Sequence, residues 1–323
     1  MTIHASRAGG TGSSRLVVTG CDAGSFPLAR QCVFSLIERV RGVDVAVLDF
    51  GLDDEQRSFF RAHGAWVRAP DISVLPGVAQ RRRGVFSRPL LPQIFPDHEL
   101  LMWLDADSVV LQGRAVEDFF AASLGGAIAI VPELHHAYHR YSATESRLNA
   151  LHLRAKARRW RGRQAWLRGP ISYDPYRALY GETVAERLAF RPVLNTGAVA
   201  LRRDAPVWAR WARELGRADP EAIPEFDDQA ALNVAVELHD LPVEALSATH
   251  NWLPAKALPL VDPDHGVLRT PSPDHEPIGI LHFAGLARDR GLVLETMAGG
   301  RLEVQPPQLL EALKALEPAR RPG

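Results

Sequence analysis

Between residues 15 and 133, short apolar runs alternate with amphipathic stretches. LVVTG at 16–20 is rich in β-branched residues, ends in a turn and predicts a strand. Over 27–40, Leu28, Cys32, Phe34, Leu36 and Val40 can share one broad apolar face, which predicts a helix. VDVAVLDF at 43–50 predicts a second strand. DDEQRSFFRAHG at 53–64 has an acidic start and a Gly64 stop, the signature of a short helix. AWVRAP predicts a third strand, and 88–95 a helical segment broken at its prolines. LLMWLDAD at 100–107 is an apolar strand ending in carboxylates, and AIAIVPE at 127–133 is another strand. The unbroken run LLMWL suits a central strand covered on both faces.

Residues 134–190 interrupt this rhythm; they hold no clear strand and read as mostly helical. The alternation resumes with VLNTGAVAL, helices at about 205–215 and 227–238, and the strand IGILHF at 278–283. Strands separated by helical segments predict βαβ units and a mostly parallel sheet. The expected organisation is a disordered lead over 1–14, one α/β domain over 15–300 with a helical, basic insertion at about 134–190, and a C-terminal helix and tail over 301–323.

Composition narrows the function classes. The 323 residues carry 38 basic and 38 acidic side chains, so no global charge points to nucleic acid. Only two cysteines occur, Cys21 and Cys32, outside any metal-binding spacing. No signal-like apolar core and no run of about 18 apolar residues is present, which sets the expectation of a cytoplasmic chain.

The carboxylates of MWLDADSVV carry the strongest chemical signal. Residues i and i+2 of a strand point the same way, so Asp105 and Asp107 are expected to project together from its end, where ligands bind in open α/β sheets. Two carboxylates that close repel unless a cation or a proton lies between them. A hard divalent ion meets that need and keeps coordination sites open for a diphosphate. A haloacid-dehalogenase-like phosphatase also places D-x-D at a strand end, with Asp105 then a nucleophile. That chemistry needs a later lysine, and none of the three lysines, Lys156, Lys256 and Lys314, follows a strand in a suitable way.

Other positions stand out. In VLNTGAVAL, Gly197 marks a bulge or a close backbone approach, with Asn195 and Thr196 beside it. FDDQAALN opens a helix with two acids: Asp227 suits an N-cap, Asp228 the helix dipole, and Gln229 is left without such a reason. His282 ends a late strand ahead of Gly285; imidazole beside carboxylates moves the metal preference from Mg²⁺ toward Mn²⁺. The stretch 151–169 has seven basic residues, no acid and two tryptophans, Trp160 and Trp166. A solvated helix face, a site for an anionic acceptor and contact with an anionic membrane surface all fit it.

Taken in order, VVTGCDAGSF, FSRPLLPQIFP, WLDAD, LNTGAVAL, DDQAALN and HFAG resemble the GT-A fold glycosyltransferases, above all the family-8 group of glycogenin and bacterial lipopolysaccharide galactosyl- and glucosyltransferases. These motifs span about 15–290. The resemblance implies a Rossmann-like α/β fold with a mostly parallel sheet. It implies sugar transfer from a nucleotide-diphosphate sugar, with uridine the usual base, to an acceptor hydroxyl with retention. Asp105, Asp107 and His282 would ligate Mn²⁺ or Mg²⁺. Thr19, Gly20, Asp22 and Phe26 would line the nucleotide pocket, with Ala106 between the carboxylates and Gly285 past the histidine. Arg88 would face the phosphates or donor sugar, and Asn195, Asp228 and Gln229 the sugar hydroxyls. The family's Lys-Pro-Trp after the late Gly is missing; Arg288 stands there and would neutralise the leaving phosphate. Apart from the resemblance, the basic stretch 151–169 points to an anionic glycan or glycolipid as acceptor and to peripheral membrane contact. A nucleotide-sugar-binding protein without catalysis is the non-enzymatic alternative.

Overall fold

The computed structural model describes residues 13–71, 83–138, 173–188, 191–217, 227–285 and 291–316. The elements run in chain order as β1 (Arg15–Cys21), α1 (Phe26–Arg39), β2 (Asp44–Asp49), α2 (Asp54–Ala62), β3 (Trp66–Arg68), α3 (Arg83–Ser87), α4 (Leu91–Ile94), β4 (Leu100–Leu104), β5 (Ser108–Val110), α5 (Gly113–Ser123) and β6 (Ile128–Pro132). Then come α6 (Tyr173–Tyr180), α7 (Glu182–Leu188), β7 (Leu194–Arg202), α8 (Val207–Arg217), α9 (Asp227–Leu238) and β8 (Val243–Ala245). The chain closes with β9 (Leu260–Asp262), β10 (Val267–Arg269), β11 (Ile280–His282), β12 (Leu292–Glu295), β13 (Arg301–Val304) and α10 (Leu309–Leu316).

Seven strands form one sheet in the order β3-β2-β1-β4-β7-β6-β8. Every pairing in it is parallel except the two that β7 makes, with β4 and with β6. This is the mixed α/β architecture that the alternation predicts.

The sheet is apolar on both faces. Val17, Val47, Met102 and Ala200 pack on one side against α1 and α5 through Val33, Leu36, Val116 and Phe119. Leu16, Leu48, Leu101 and Val199 pack on the other against α8 and α9 through Trp208, Trp211, Leu232 and Val236. Neighbouring positions of one strand thus serve opposite cores, as a period of two requires. Local chemistry sets the ends of elements too. Asp53 and Gln56 form a reciprocal capping box at the start of α2. Within the expected lead, Ser14 is tied to the chain just ahead of β4: its carbonyl accepts from the Glu99 and Leu100 amides.

A third core lies beyond the sheet. Trp252, Leu281, Phe283, Leu294, Leu309 and Leu313 join the ribbons β9–β10 and β12–β13, strand β11 and helix α10. Two findings depart from the sequence reading here. The strand at 278–283 shortens to Ile280–His282 and leaves the main sheet to pair antiparallel with β5. The end of the chain is a β-hairpin before it is a helix; its strands are four residues each, too short for periodicity to reveal. The lead over 1–12, the basic stretch 151–169 and Arg288 fall outside the described residues. Among the described residues, no helix is long and apolar enough to cross a membrane.

Candidate active site

Asp105 and Asp107 come together for a reason other than strand alternation. Strand β4 ends at Leu104, and the chain turns at once: the Ser108 amide donates to the Asp105 carbonyl at 2.9 Å. This tight turn corrects the expected strand-end projection. Its two sides are tied to different parts of the fold. The Asp105 amide donates to the Gly197 carbonyl of β7 at 2.8 Å, and the Phe283 amide donates to the Asp107 carbonyl at 2.9 Å. The β5–β11 register sets His282 opposite Ser108. So one aspartate is fixed to the sheet, the other to the ribbon, and the ribbon delivers the histidine.

The His282 Nε2 atom lies 3.5 Å from Asp105 Oδ2 and 3.4 Å from Asp107 Oδ1. One ligand atom from each of the three residues falls within 4.8 Å of the others. Burial acts against a charged His282 ring, but Asp107 and then Asp105 outweigh it and raise its pKa above the ordinary histidine value. Two carboxylates and an imidazole form a hard donor set with one borderline nitrogen, which suits Mn²⁺.

Arg88 supplies the cation on the other side. It lies in the 3-10 turn Arg88–Leu90 between α3 and α4, its side chain only 11 % exposed. Its guanidinium pairs with Asp105 Oδ1 and Asp228 Oδ2, donates to Thr196 Oγ1 at 3.0 Å, and stacks 5.1 Å from the Trp103 ring centre. The Trp103 indole N–H also donates to Asp105 Oδ1, at 2.6 Å. Burial disfavours the charged guanidinium, yet Asp105 and Asp228 hold its pKa above the usual arginine value. Asp228 is raised, first by burial, with Arg88 opposing.

Strand β7 carries a bulge at this point. Its partner β6 pairs Ile130 with Val199 but Val131 with Asn195, so Thr196–Ala198 bow outward. The bulge sets Asn195 and Thr196 into the site and presses Gly197 against His282. A β-carbon on Gly197 would lie 2.1 Å from His282 Cε1. Gln229, on the first turn of α9, accepts from the Thr196 amide at 3.2 Å and donates to Glu133 Oε1 at 3.2 Å.

The predicted nucleotide residues lie along the same end of the sheet, at the β1–α1 turn. Thr19 is fully buried, its hydroxyl without a hydrogen-bond partner among the described residues, and Cys32 of α1 contacts the Asp105 carbonyl. Gly20 lets the Phe50 ring close in, 2.4 Å from where a β-carbon would stand. Asp22 accepts from the Ser25 amide at 2.9 Å and the Ser25 hydroxyl at 2.6 Å, and this hydroxyl bond leads in holding its pKa below the ordinary value. Phe26 packs edge-on to Phe59 and Phe60 in an aromatic cluster between α1 and α2. Ala106 forms the crest of the carboxylate turn and packs on the first core. Gly285 has a φ of 65°, the left-handed turn that follows β11.

The sequence reading misses three members of the cluster. Glu133 accepts from Asn195 Nδ2 at 2.7 Å and pairs with Lys256 at 2.8 Å. Asn251, 1 % exposed, bridges Asn195 and His282. Trp103 braces Asp105 and Arg88. Glu133 carries a readable signal: it follows β6 as Asp105 follows β4, an acid just past an apolar strand.

No protein-family profile and no curated protein matches the sequence. Solved structures do match. The galactosyltransferase LgtC, in complex with donor and acceptor sugar analogs, is 12% identical, with a TM-score of 0.53 over 94% of this chain and 97% of that one. The bifunctional glycosyltransferase WbbM is 13% identical, with a TM-score of 0.52 over 84% of this chain; the match spans 46% of WbbM. The glycosyltransferase GlyE of Streptococcus pneumoniae TIGR4 is 14% identical, with a TM-score of 0.50 over 96% of this chain and 66% of GlyE. These likenesses establish the fold: the chain is built as the GT-A glycosyltransferases are.

Proposed function

We propose that this chain is a divalent-metal-dependent glycosyltransferase that moves a sugar from a uridine-diphosphate sugar to an acceptor hydroxyl with retention. The observation that carries the reading is the convergence of Asp105, Asp107 and His282, one ligand atom of each within 4.8 Å of the others, at the carboxyl end of the parallel strands. The GT-A fold supports it independently.

Asp105, Asp107 and His282 would hold Mn²⁺. Bound there, the ion supplies Lewis-acid stabilisation of negative charge on a departing diphosphate. Arg88 already bridges Asp105 and Asp228, so its planar guanidinium is pre-aimed between the metal side and the sugar side. Asp228 is gripped by Arg88 and by the Thr196 hydroxyl at 3.2 Å, which suits a residue that positions the donor sugar. Gln229 faces the same space from the next position on α9. In the retaining reaction, the acceptor oxygen bonds to the anomeric carbon as the bond to the diphosphate breaks on the same face. The acceptor proton passes to the leaving phosphate oxygen, and Arg288 follows the histidine loop as the cation for that phosphate. Asp22 and Phe26 frame the base, and an anionic glycan is the acceptor class that the basic stretch 151–169 suits.

The phosphatase reading loses ground on one contact set. Asp105 Oδ1 is engaged by Trp103 and Arg88 while Oδ2 faces His282 and Asp107, an arrangement that suits a ligand in a shared donor set. Among the described residues, Lys256 and Lys314 are paired with Glu133 and Glu38.

A thermal-shift panel of nucleotide sugars with and without Mn²⁺ tests the proposal. Stabilisation by a uridine-diphosphate sugar that requires Mn²⁺, and disappears in Asp105→Asn and Asp107→Asn, is expected. Unchanged binding and turnover in both variants would overturn the metal assignment. Hydrolysis of simple phosphoesters would favour the phosphatase. Nucleotide binding with no turnover on any acceptor would favour the non-catalytic alternative.

A further inference from the structure

A chain of buried amides settles which nitrogen of His282 carries the proton. It starts at a donor that has no alternative role. The Gly197 backbone N–H donates at 2.9 Å to the side chain of Asn195, so the atom it meets is the oxygen, Oδ1. The other end of that amide, Nδ2, donates to Glu133 Oε1 at 2.7 Å, which fixes the same orientation from the far side. Asn251 approaches Asn195 Oδ1 at 2.8 Å, and an oxygen there needs a donor. Asn251 must therefore present Nδ2 to Asn195 and turn its own Oδ1 toward His282.

That oxygen lies 3.1 Å from His282 Nδ1. A carbonyl oxygen can only accept, so Nδ1 bears the hydrogen in the neutral ring. Nε2, aimed at Asp105 and Asp107, is then the nitrogen with a free lone pair. The participants are buried, with exposures of 5 % for Asn195, 1 % for Asn251 and 3 % for His282. Water therefore competes little for these bonds, and an amide flip would set two oxygens or two N–H groups face to face. The backbone holds the last link in place. Asn251 closes the 3-10 turn Ala248–Asn251, and the next residue, Trp252, exchanges backbone bonds with β11: its amide donates to the Ile280 carbonyl at 2.9 Å, and the His282 amide donates to its carbonyl at 2.8 Å.

We propose that Asn251 is a positioning residue that locks His282 as the Nδ1–H tautomer and so reserves Nε2 for the metal, with Asn195 as the anchor of the lock. The proposal rests on the metal reading above. It also changes the role of Asn195. Both lone pairs of Asn195 Oδ1 are taken, by the Gly197 and Asn251 donors, and one Nδ2 hydrogen by Glu133. One N–H is left for a sugar hydroxyl, and Asn195 serves chiefly the metal side of the site.

The test uses the full-length chain. In metal-free protein at alkaline pH, nitrogen-15 NMR of the histidine rings, with His282 assigned by loss of its signals in His282→Gln, reads the tautomer directly. A protonated Nδ1 and a bare Nε2 are expected; an Nε2–H ring overturns the lock. Manganese affinity is then measured by EPR titration in wild type and Asn251→Leu. A 10- to 100-fold weaker dissociation constant in the variant, the range for loss of such an outer partner, is expected. An unchanged constant in a folded Asn251→Leu overturns the proposal, and should the variant not fold, the wild-type NMR result still decides. The two readings fail separately. A wild type with Nδ1–H but no Mn²⁺ binding keeps the lock and sinks the metal; Mn²⁺ binding with an Nε2–H ring does the reverse.

Discussion

Substituting Gly197→Ala isolates one contact that the site depends on. The backbone at Gly197 is outside the left-handed region, so alanine meets no conformational penalty there. The cost is steric. The new β-carbon would sit 2.1 Å from His282 Cε1, 2.6 Å from His282 Nδ1 and 2.9 Å from Asn195 Oδ1. To restore an ordinary contact of 3.4 Å, the ring must retreat by about 1.3 Å. Metal–ligand distances tolerate deviations of only ~0.2 Å. The displaced imidazole is therefore lost as a ligand, and the Asn251 bond to Nδ1 is strained with it. Overpacking of this kind destabilises a fold by about 1–3 kcal/mol. We expect Mn²⁺ affinity to fall at least tenfold, about 1.4 kcal/mol, by EPR titration, and the denaturant midpoint to fall as well. In a His282→Ala background the ring is gone, so the stability loss from Gly197→Ala should shrink in a double-mutant cycle. Wild-type Mn²⁺ affinity together with an unchanged midpoint in Gly197→Ala would refute the reasoning.

Two further outcomes follow from the charges. His282 has a raised pKa in the metal-free fold, so its ion pairs contribute stability in full below the unfolded histidine pKa, and that contribution is lost as pH rises through the folded value. Thermal melts from pH 5 to 9 should show this loss in metal-free wild type and not in His282→Ala; parallel profiles would remove the ion pairs from the account. Because Mn²⁺ must displace that proton, its affinity should weaken as pH falls through the same range. Arg88→Met leaves Asp105 and the buried Asp228 without their shared cation, a loss of about 3–5 kcal/mol for breaking a buried pair. Denaturant unfolding measures it, and a loss below 1 kcal/mol would mean that the pair is not holding the metal-free site.

Much of the sheet is legible because its strands obey a simple rule. LVVT, VAVL and LLMWL are buried on both faces and stand out as mostly apolar runs among the helices. The candidate site is legible in its residue types. Asp105, Asp107, Asn195, Asp228, Gln229 and His282 interrupt or end apolar elements, and the structure brings these six into one cluster. What the sequence conceals is how they meet. The two aspartates converge through a turn, and two long-range backbone bonds close the site around that turn. Asn251 is invisible for a related reason. It sits in a short 3-10 turn with no periodicity, and its partners Asn195 and His282 are 56 and 31 residues away in the chain. The β11 strand misleads because three buried residues look alike whether they join the large sheet or a two-stranded ribbon.

The turn from Asp105 to Ser108 joins the sheet to the ribbon that carries His282, and this has a consequence for synthesis on the ribosome. The carboxylates and Arg88 emerge early, while β11 emerges only after most of the chain has been made. Until then Arg88 is the cation already at hand for Asp105. The central strands β1, β2 and β4 all precede His282, the proposed third ligand, in the chain, so their pairing does not wait on it. The proposed metal site is therefore completed only after the seven strands of the sheet, and a chain interrupted before Ile280 would own those strands and still lack His282.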